Sequence, residues 1–245
     1  MNAFQTFALS LLLATGGAFA ATAAPAPAPV ASGVMPEFTH TWSPDEFVAG
    51  ADVAAARVPL PSYATPDGKA FLDRFTSTDN YAALSDQKVS LAVRMKQSVA
   101  MFHANGRLLL VYAGAADHGQ PLHAEVTALA VREMSYGSLN AILFNQWTVT
   151  ANSRDPKLAA AKAQLGDGYA AVCMAVLKVI QNPRYLTPGD ITYLLRSMNT
   201  SIVRMGVFFT PEARAQLRQQ LTTQRAQLPA GDQQLVDQIL QFLAK

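Results

Sequence analysis

Residues 168 to 205 constrain this chain most, because two apolar helix patterns there are joined by a proline-punctuated turn. In the first pattern Tyr169, Val172, Cys173, Val176 and Ile180 recur at the spacing of one helical stripe. Met174, Leu177 and Val179 add apolar side chains off that stripe, so more than one side of this helix needs cover. Asn182-Pro183 stops it, since proline has no amide proton for a continuing helix. Thr187-Pro188 starts the second pattern, with Thr suited to the N-cap, Pro to the first helical position and Asp190 to the positive helix end. Ile191, Leu194, Leu195, Met198, Ile202 and Met205 then repeat the inward spacing. The pattern predicts a mostly α, bundle-like domain of several helices built around this central antiparallel hairpin.

Upstream, an apolar run from Phe7 to Leu13 leads to Ala18-Phe19-Ala20, which fits a signal-peptidase site. The expectation is a signal peptide over residues 1–20, an Ala/Pro-rich linker over 21–36 and one helical globular domain over 37–245. No Lys or Arg precedes the apolar run, a departure from the usual pattern. That run is also shorter than the ~20 residues of a membrane span, so export to the periplasm or the exterior is expected, with no transmembrane span in the mature chain. Residues 37 to 68 carry several prolines and read as irregular chain with one short helix near Pro44 to Ala56.

Beyond Pro66, Phe71, Leu72 and Phe75 form a first short apolar face. Leu84, Leu91, Met95 and Phe102 form a seam for one long helix, which Asn105-Gly106 ends or interrupts. The run Arg107–Tyr112 reads as helix because Leu109 continues the seam. A rival reading pairs it as a small β-hairpin, residues 107–112 with 146–151. Leu122, Val126, Leu129, Tyr136, Leu139 and Leu143 mark the inward face of another helix, opened by Pro121. Thr210-Pro211 starts a helix with a thin Leu217, Leu221 and Leu228 stripe, and Leu235, Val236, Ile239, Leu240 and Leu243 make the last one.

Net charge is +2 and charged residues make up 15% of the chain, against about 25% in an average soluble protein. That composition speaks against nucleic acid as a partner and for extensive covered apolar surface. Cys173 is the sole cysteine, so no intrachain disulfide holds the fold, and its place on the stripe marks it as a small core hydrophobe.

Three catalytic or cofactor patterns fail on context. Gly166-Asp167-Gly168-Tyr169-Ala170-Ala171 matches a dinucleotide fingerprint, but no strand precedes it; the glycines read as the break between two helices. Ser85-Asp86-Gln87-Lys88 and Ser197-Met198-Asn199 match two elements of penicillin-recognising enzymes, yet the third, a K-T-G strand, is missing. Ser85 then reads as a polar helix-start residue and Lys88 as solvated. His118, His123 and Glu125, with Asp117 beside them and His103 upstream, carry zinc-type ligand chemistry, but residues two apart on a helix diverge by about 200°. No catalytic, cofactor or metal residue is therefore assigned. The leading expectation is an exported, non-catalytic protein that binds a partner protein or an apolar ligand; the alternative is a metal-assisted hydrolase using His118, His123 and Glu125. Arg214, Arg218 and Arg225 edge the thin leucine stripe, which makes residues 211 to 228 the expected place for a partner.

Overall fold

The computed structural model describes residues 37, 39–150, 156–181 and 186–244. The signal peptide expected over 1–20, the linker over 21–36 and the Asn182-Pro183 stop lie outside the described residues. Among those described, 81% are helical and none is in a strand. Eight helices of ten residues or more follow one another: α1 (Pro44–Ala55), α2 (Pro66–Phe75), α3 (Leu91–Asp117), α4 (His123–Thr150), α5 (Pro156–Gln181), α6 (Pro188–Met205), α7 (Pro211–Arg225) and α8 (Ala230–Leu243). The mostly α fold is as the periodicity predicts. The rival β-hairpin is absent: 107–112 lies within α3 and 146–150 within α4.

Local chemistry explains the starts. Ser43, Thr65, Thr187 and Thr210 each turn a side-chain oxygen onto a first-turn amide, and a proline follows each. At Ser43 and Thr187 the cap is reciprocal, with Glu46 and Asp190 accepting from the cap amide.

The described residues fall into two compact units, the boundary lying within α4 between Tyr136 and Gly137. The first unit holds α1 to α3 and the start of α4. Its core is aromatic: Trp42, Phe47, Phe71, Phe75 and Tyr136 are all 1% exposed or less. Phe47 stacks on Phe75 with ring centroids 4.1 Å apart, and meets the Tyr136 ring edge-on at 5.4 Å. Segment 37–68 is thus more than a wrapping: α1 packs along α3, and Trp42 and Phe47 supply core. The long seam also begins later than the spacing suggests. Leu84 is buried from a separate single turn, Ala82–Ser85; Asp86 Oδ1 then accepts from the Lys88 amide at 2.9 Å, and Ser90 caps a new start at Leu91. Asn105-Gly106 does not interrupt α3.

In the second unit α5 packs against α6, α7 and the 3-10 turn Gly206–Phe208, while α6 packs chiefly on α8. The stripe residues Tyr169, Val172, Cys173, Val176 and Ile180 are buried, as are Leu194, Leu195, Met198, Ile202 and Met205. Residues 166–168 do not break a helix: α5 runs through them without a stop. Gly166 is there for close approach, because a Cβ at that position would sit 1.9 Å from the Phe208 carbonyl oxygen. The segment Ala159–Gln181 is long and apolar enough to cross a bilayer, yet 61% of its apolar window is buried inside the unit.

Two substitutions test this packing. Leu195→Ala is expected to lower unfolding free energy by about 2–5 kcal/mol, since truncating a buried leucine loses transfer energy and leaves a cavity. Gly166→Ala is expected to cost at least as much, because the clash is with backbone and not with a side chain that can swing away. Chemical denaturation of both variants checks this; a neutral Gly166→Ala would mean that α5 and the 206–208 turn are further apart than described.

Candidate functional site

The three hydrolase candidates are not brought together. His118 caps the C-terminus of α3, and its Nδ1–H donates to the Gly114 carbonyl oxygen at 2.7 Å. His123 is the first residue of α4 and half-buried. Glu125, 2% exposed, accepts from Ser62 Oγ at 2.7 Å and from the Tyr63 amide at 2.8 Å. Its carboxylate therefore holds the 61–63 segment, which Tyr112 also holds by donating its hydroxyl to the Pro61 carbonyl at 2.5 Å. Among the described residues no three His, Cys, Asp or Glu side chains group as metal ligands. Ser85 and Lys88 are both exposed, and the Ser85 hydroxyl donates to the Tyr81 carbonyl at 3.1 Å, so the S-x-x-K match does not lie on a buried helix.

The arginine margin of α7 is largely engaged within its own unit. Arg225 is bidentate to Asp237, at 2.6 and 2.9 Å. Arg214 Nη2 donates to the Gly206 carbonyl at 2.7 Å, next to the 3-10 turn. Leu217, Leu221 and Leu228 are buried as the stripe requires. Of the three arginines, Arg218 stands exposed on the outer face.

A different surface stands out on α6. Its outward arc carries Tyr193, Arg196, Thr200, Val203 and Arg204, and Val207 of the 3-10 turn continues it. Those positions are i, i+3, i+7, i+10, i+11 and i+14, within about 100° of one another. Tyr193 is 50% exposed, Val203 53% and Val207 61%. The arc contains two arginines and no acid, and Arg204 Nη1 donates to Ser138 Oγ at 3.4 Å. A cleft of about 580 Å³ adjoins it, between the first turns of α6 and α8, lined in part by Thr192, Arg196, Asp232, Leu235 and Gln238. Asp232, itself buried, accepts from Thr192 Oγ1 at 2.8 Å, and Asn199 Nδ2 donates to Gln238 Oε1 at 2.7 Å. The sequence reading passed over this arc because the inward stripe of α6 dominates its pattern; the signal was Tyr193, Val203 and Val207 on the opposite side.

The burial of Glu133 was not foreseen. Glu133 on α4 is 2% exposed and receives Asn105 Nδ2 at 2.6 Å; burial pushes its carboxyl up to about 8, against the opposing pull of that hydrogen bond. Both residues occupy inward register, Glu133 between Leu129 and Tyr136, Asn105 between Phe102 and Leu109. A polar residue on an apolar seam was the available sign. Cys173 is fully buried, and burial pushes its thiol up to about 12.

The thiol of native protein is accordingly expected to label slowly at pH 8, at a rate that follows unfolding and rises by orders of magnitude in denaturant. Time-resolved labelling with a maleimide or a disulfide reagent measures it; rapid labelling without denaturant would contradict the buried placement.

No family model matches this chain, and neither a curated protein nor a solved structure does.

Proposed function

We propose that this is an exported, non-catalytic helical protein of the cell envelope that binds a partner protein through the outer arc of α6. The observation that carries the reading is the arc itself: three apolar side chains at least half exposed, interleaved with Arg196 and Arg204 and free of acids. Apolar groups left in water on one helix face are what a partner covers, and arginine is enriched where protein interfaces form. The partner surface that fits is apolar at its centre with acidic side chains around it. A bilayer surface fits less well. Interfacial helices turn their large apolar side towards lipid, whereas α6 turns its own towards α5 and α8. An apolar small ligand also fits less well, because the adjoining cleft is open, whereas such ligands are held in sites that enclose most of their surface. Export rests on the A-x-A signature at Ala18 to Ala20 and the apolar run before it.

The test uses photo-crosslinking amino acids at positions 203 and 207, with position 219 on the exposed side of α7 as control, in the native host. Envelope fractions are expected to contain a chain beginning at Ala21, crosslinked from 203 and 207 to one discrete protein and not from 219. Arg196→Glu with Arg204→Glu should weaken that complex about tenfold or more without changing helicity, and added salt should do the same. Equal crosslinking from all three positions, or binding to anionic vesicles with no protein adduct, would overturn the reading.

A further inference from the structure

The Glu133 carboxyl makes a contact that is half complete. Oε2 accepts from Asn105 Nδ2, and that same amide donates to the Leu129 carbonyl at 3.0 Å. The remaining oxygens, Glu133 Oε1 and Asn105 Oδ1, are buried and meet no donor. The two side chains therefore join α3 to α4 through one amide, with two buried acceptor oxygens that no protein donor answers.

The charged groups of the surrounding elements do not supply an answering cation. On α4, Arg132 lies over the Tyr81 ring, 5.7 Å from its centroid, with Nη1 3.3 Å from the Tyr81 hydroxyl. Glu125, two turns earlier, is held by Ser62 and Tyr63. On α3, Arg107 pairs with Asp52 of α1 at 2.7 Å, and Arg94 Nε donates to the Val89 carbonyl. His103 on the same helix is kept towards its neutral form by burial and by Arg107. On α1, Glu46 is taken by His40 and Ser43, and Asp45 is exposed. The 3-10 turn Thr78–Tyr81 brings Asp79, also exposed. Tyr136, one turn beyond Glu133, is held neutral by burial.

An ionised carboxylate with one neutral donor and no cation is costly in such a place; taking up a proton relieves the charge and supplies the missing donor. We propose that Glu133 is a proton-operated latch of the first unit: as a neutral acid its O–H answers an acceptor of the Glu133–Asn105 junction and closes α3 onto α4, and loss of that proton to alkaline solvent loosens the junction. The direction of the pH effect follows from linkage. Burial raises this carboxyl from its ordinary 4.5 to about 8 in the folded chain. Between those values the folded state keeps a proton that the unfolded state has released, so stability falls as pH rises through the window and levels off above it.

Two measurements on the full chain decide. Denaturation from pH 5 to 9 is expected to show the unfolding constant of the wild type rising by up to about tenfold per pH unit towards pH 8. Glu133→Gln, which supplies a fixed donor amide, should lack that component of the slope; once the intrinsic base catalysis of exchange is divided out, the opening of amides near Asn105 should increase with pH in the wild type only. Independently, 13C-glutamate labelling marks the five glutamates of the sequence. One carboxyl signal should titrate near pH 8, and this readout stands even if the variant does not fold. All five titrating below about pH 6, or an unchanged slope in a folded Glu133→Gln, would overturn the proposal.

Discussion

Burial without covalent help is the constraint that shapes this chain. With one cysteine and 15% charged residues, stability has to come from covering apolar helix faces. In the second unit that requirement becomes a question of how near two stretches of backbone can come. α5 is apolar on more than one side, so α6, α7 and the Gly206–Phe208 turn must all reach it. The turn does so only because Gly166 has no side chain where the Phe208 carbonyl lies. The same turn also receives Arg214 from α7, which ties the third neighbour in place through the Gly206 carbonyl.

The first unit meets the constraint differently. Its helices bring rings together: Phe47, Phe71, Phe75 and Trp42 make a set of stacked and edge-on contacts, extended by Tyr136 and Tyr81. Large planar side chains fill volume in few positions, which suits short helices such as α1 and α2. Around that aromatic centre the unit encloses polar groups as well. Those polar groups are answered by local backbone wherever chain passes close enough, as at Ser62 and Tyr63 for Glu125. At Glu133 no backbone donor is within reach, and the carboxyl depends on Asn105 and on its own proton.

What was legible in the sequence was what local chemistry decides. A hydroxyl followed by proline at 187–188 and 210–211 starts a helix because the cap bond and the fixed proline φ act within one turn. The stripes of α5, α6 and α8 were legible for a similar reason, since periodicity is a property of one helix. Decisions taken by neighbours were not legible. Asn105-Gly106 has the form of a helix stop, but the Asn105 side chain bonds across to α4 and leaves its own backbone to the helix. Gly166 and Gly168 have the same form, and contact with the 206–208 turn keeps the helix running. Leu84 and Leu91 share a heptad spacing by chance, because the Asp86 and Ser90 hydrogen bonds between them set a turn and a fresh cap.

The same distinction is why the proposed contact is placed on α6 in preference to α7. Counting arginines on a helix face weighs every guanidinium as free, and the structure shows how differently placed they are. Arg225 and Arg214 are bound to Asp237 and to a helix-terminal carbonyl, so their charge serves the joints among α6, α7 and α8. Arg196, by contrast, stands on an arc with Tyr193 and Val203 and borders an open cleft. For a partner, the second arrangement is worth more than the first. A cation already satisfied inside the fold must break that bond before it meets an acid, whereas one beside exposed apolar surface gains a counter-charge as water leaves both. Exposure of apolar groups and availability of charge therefore have to coincide, and on the outer arc of α6 they do so at Arg196, while Arg204 keeps a long hydrogen bond to Ser138 Oγ.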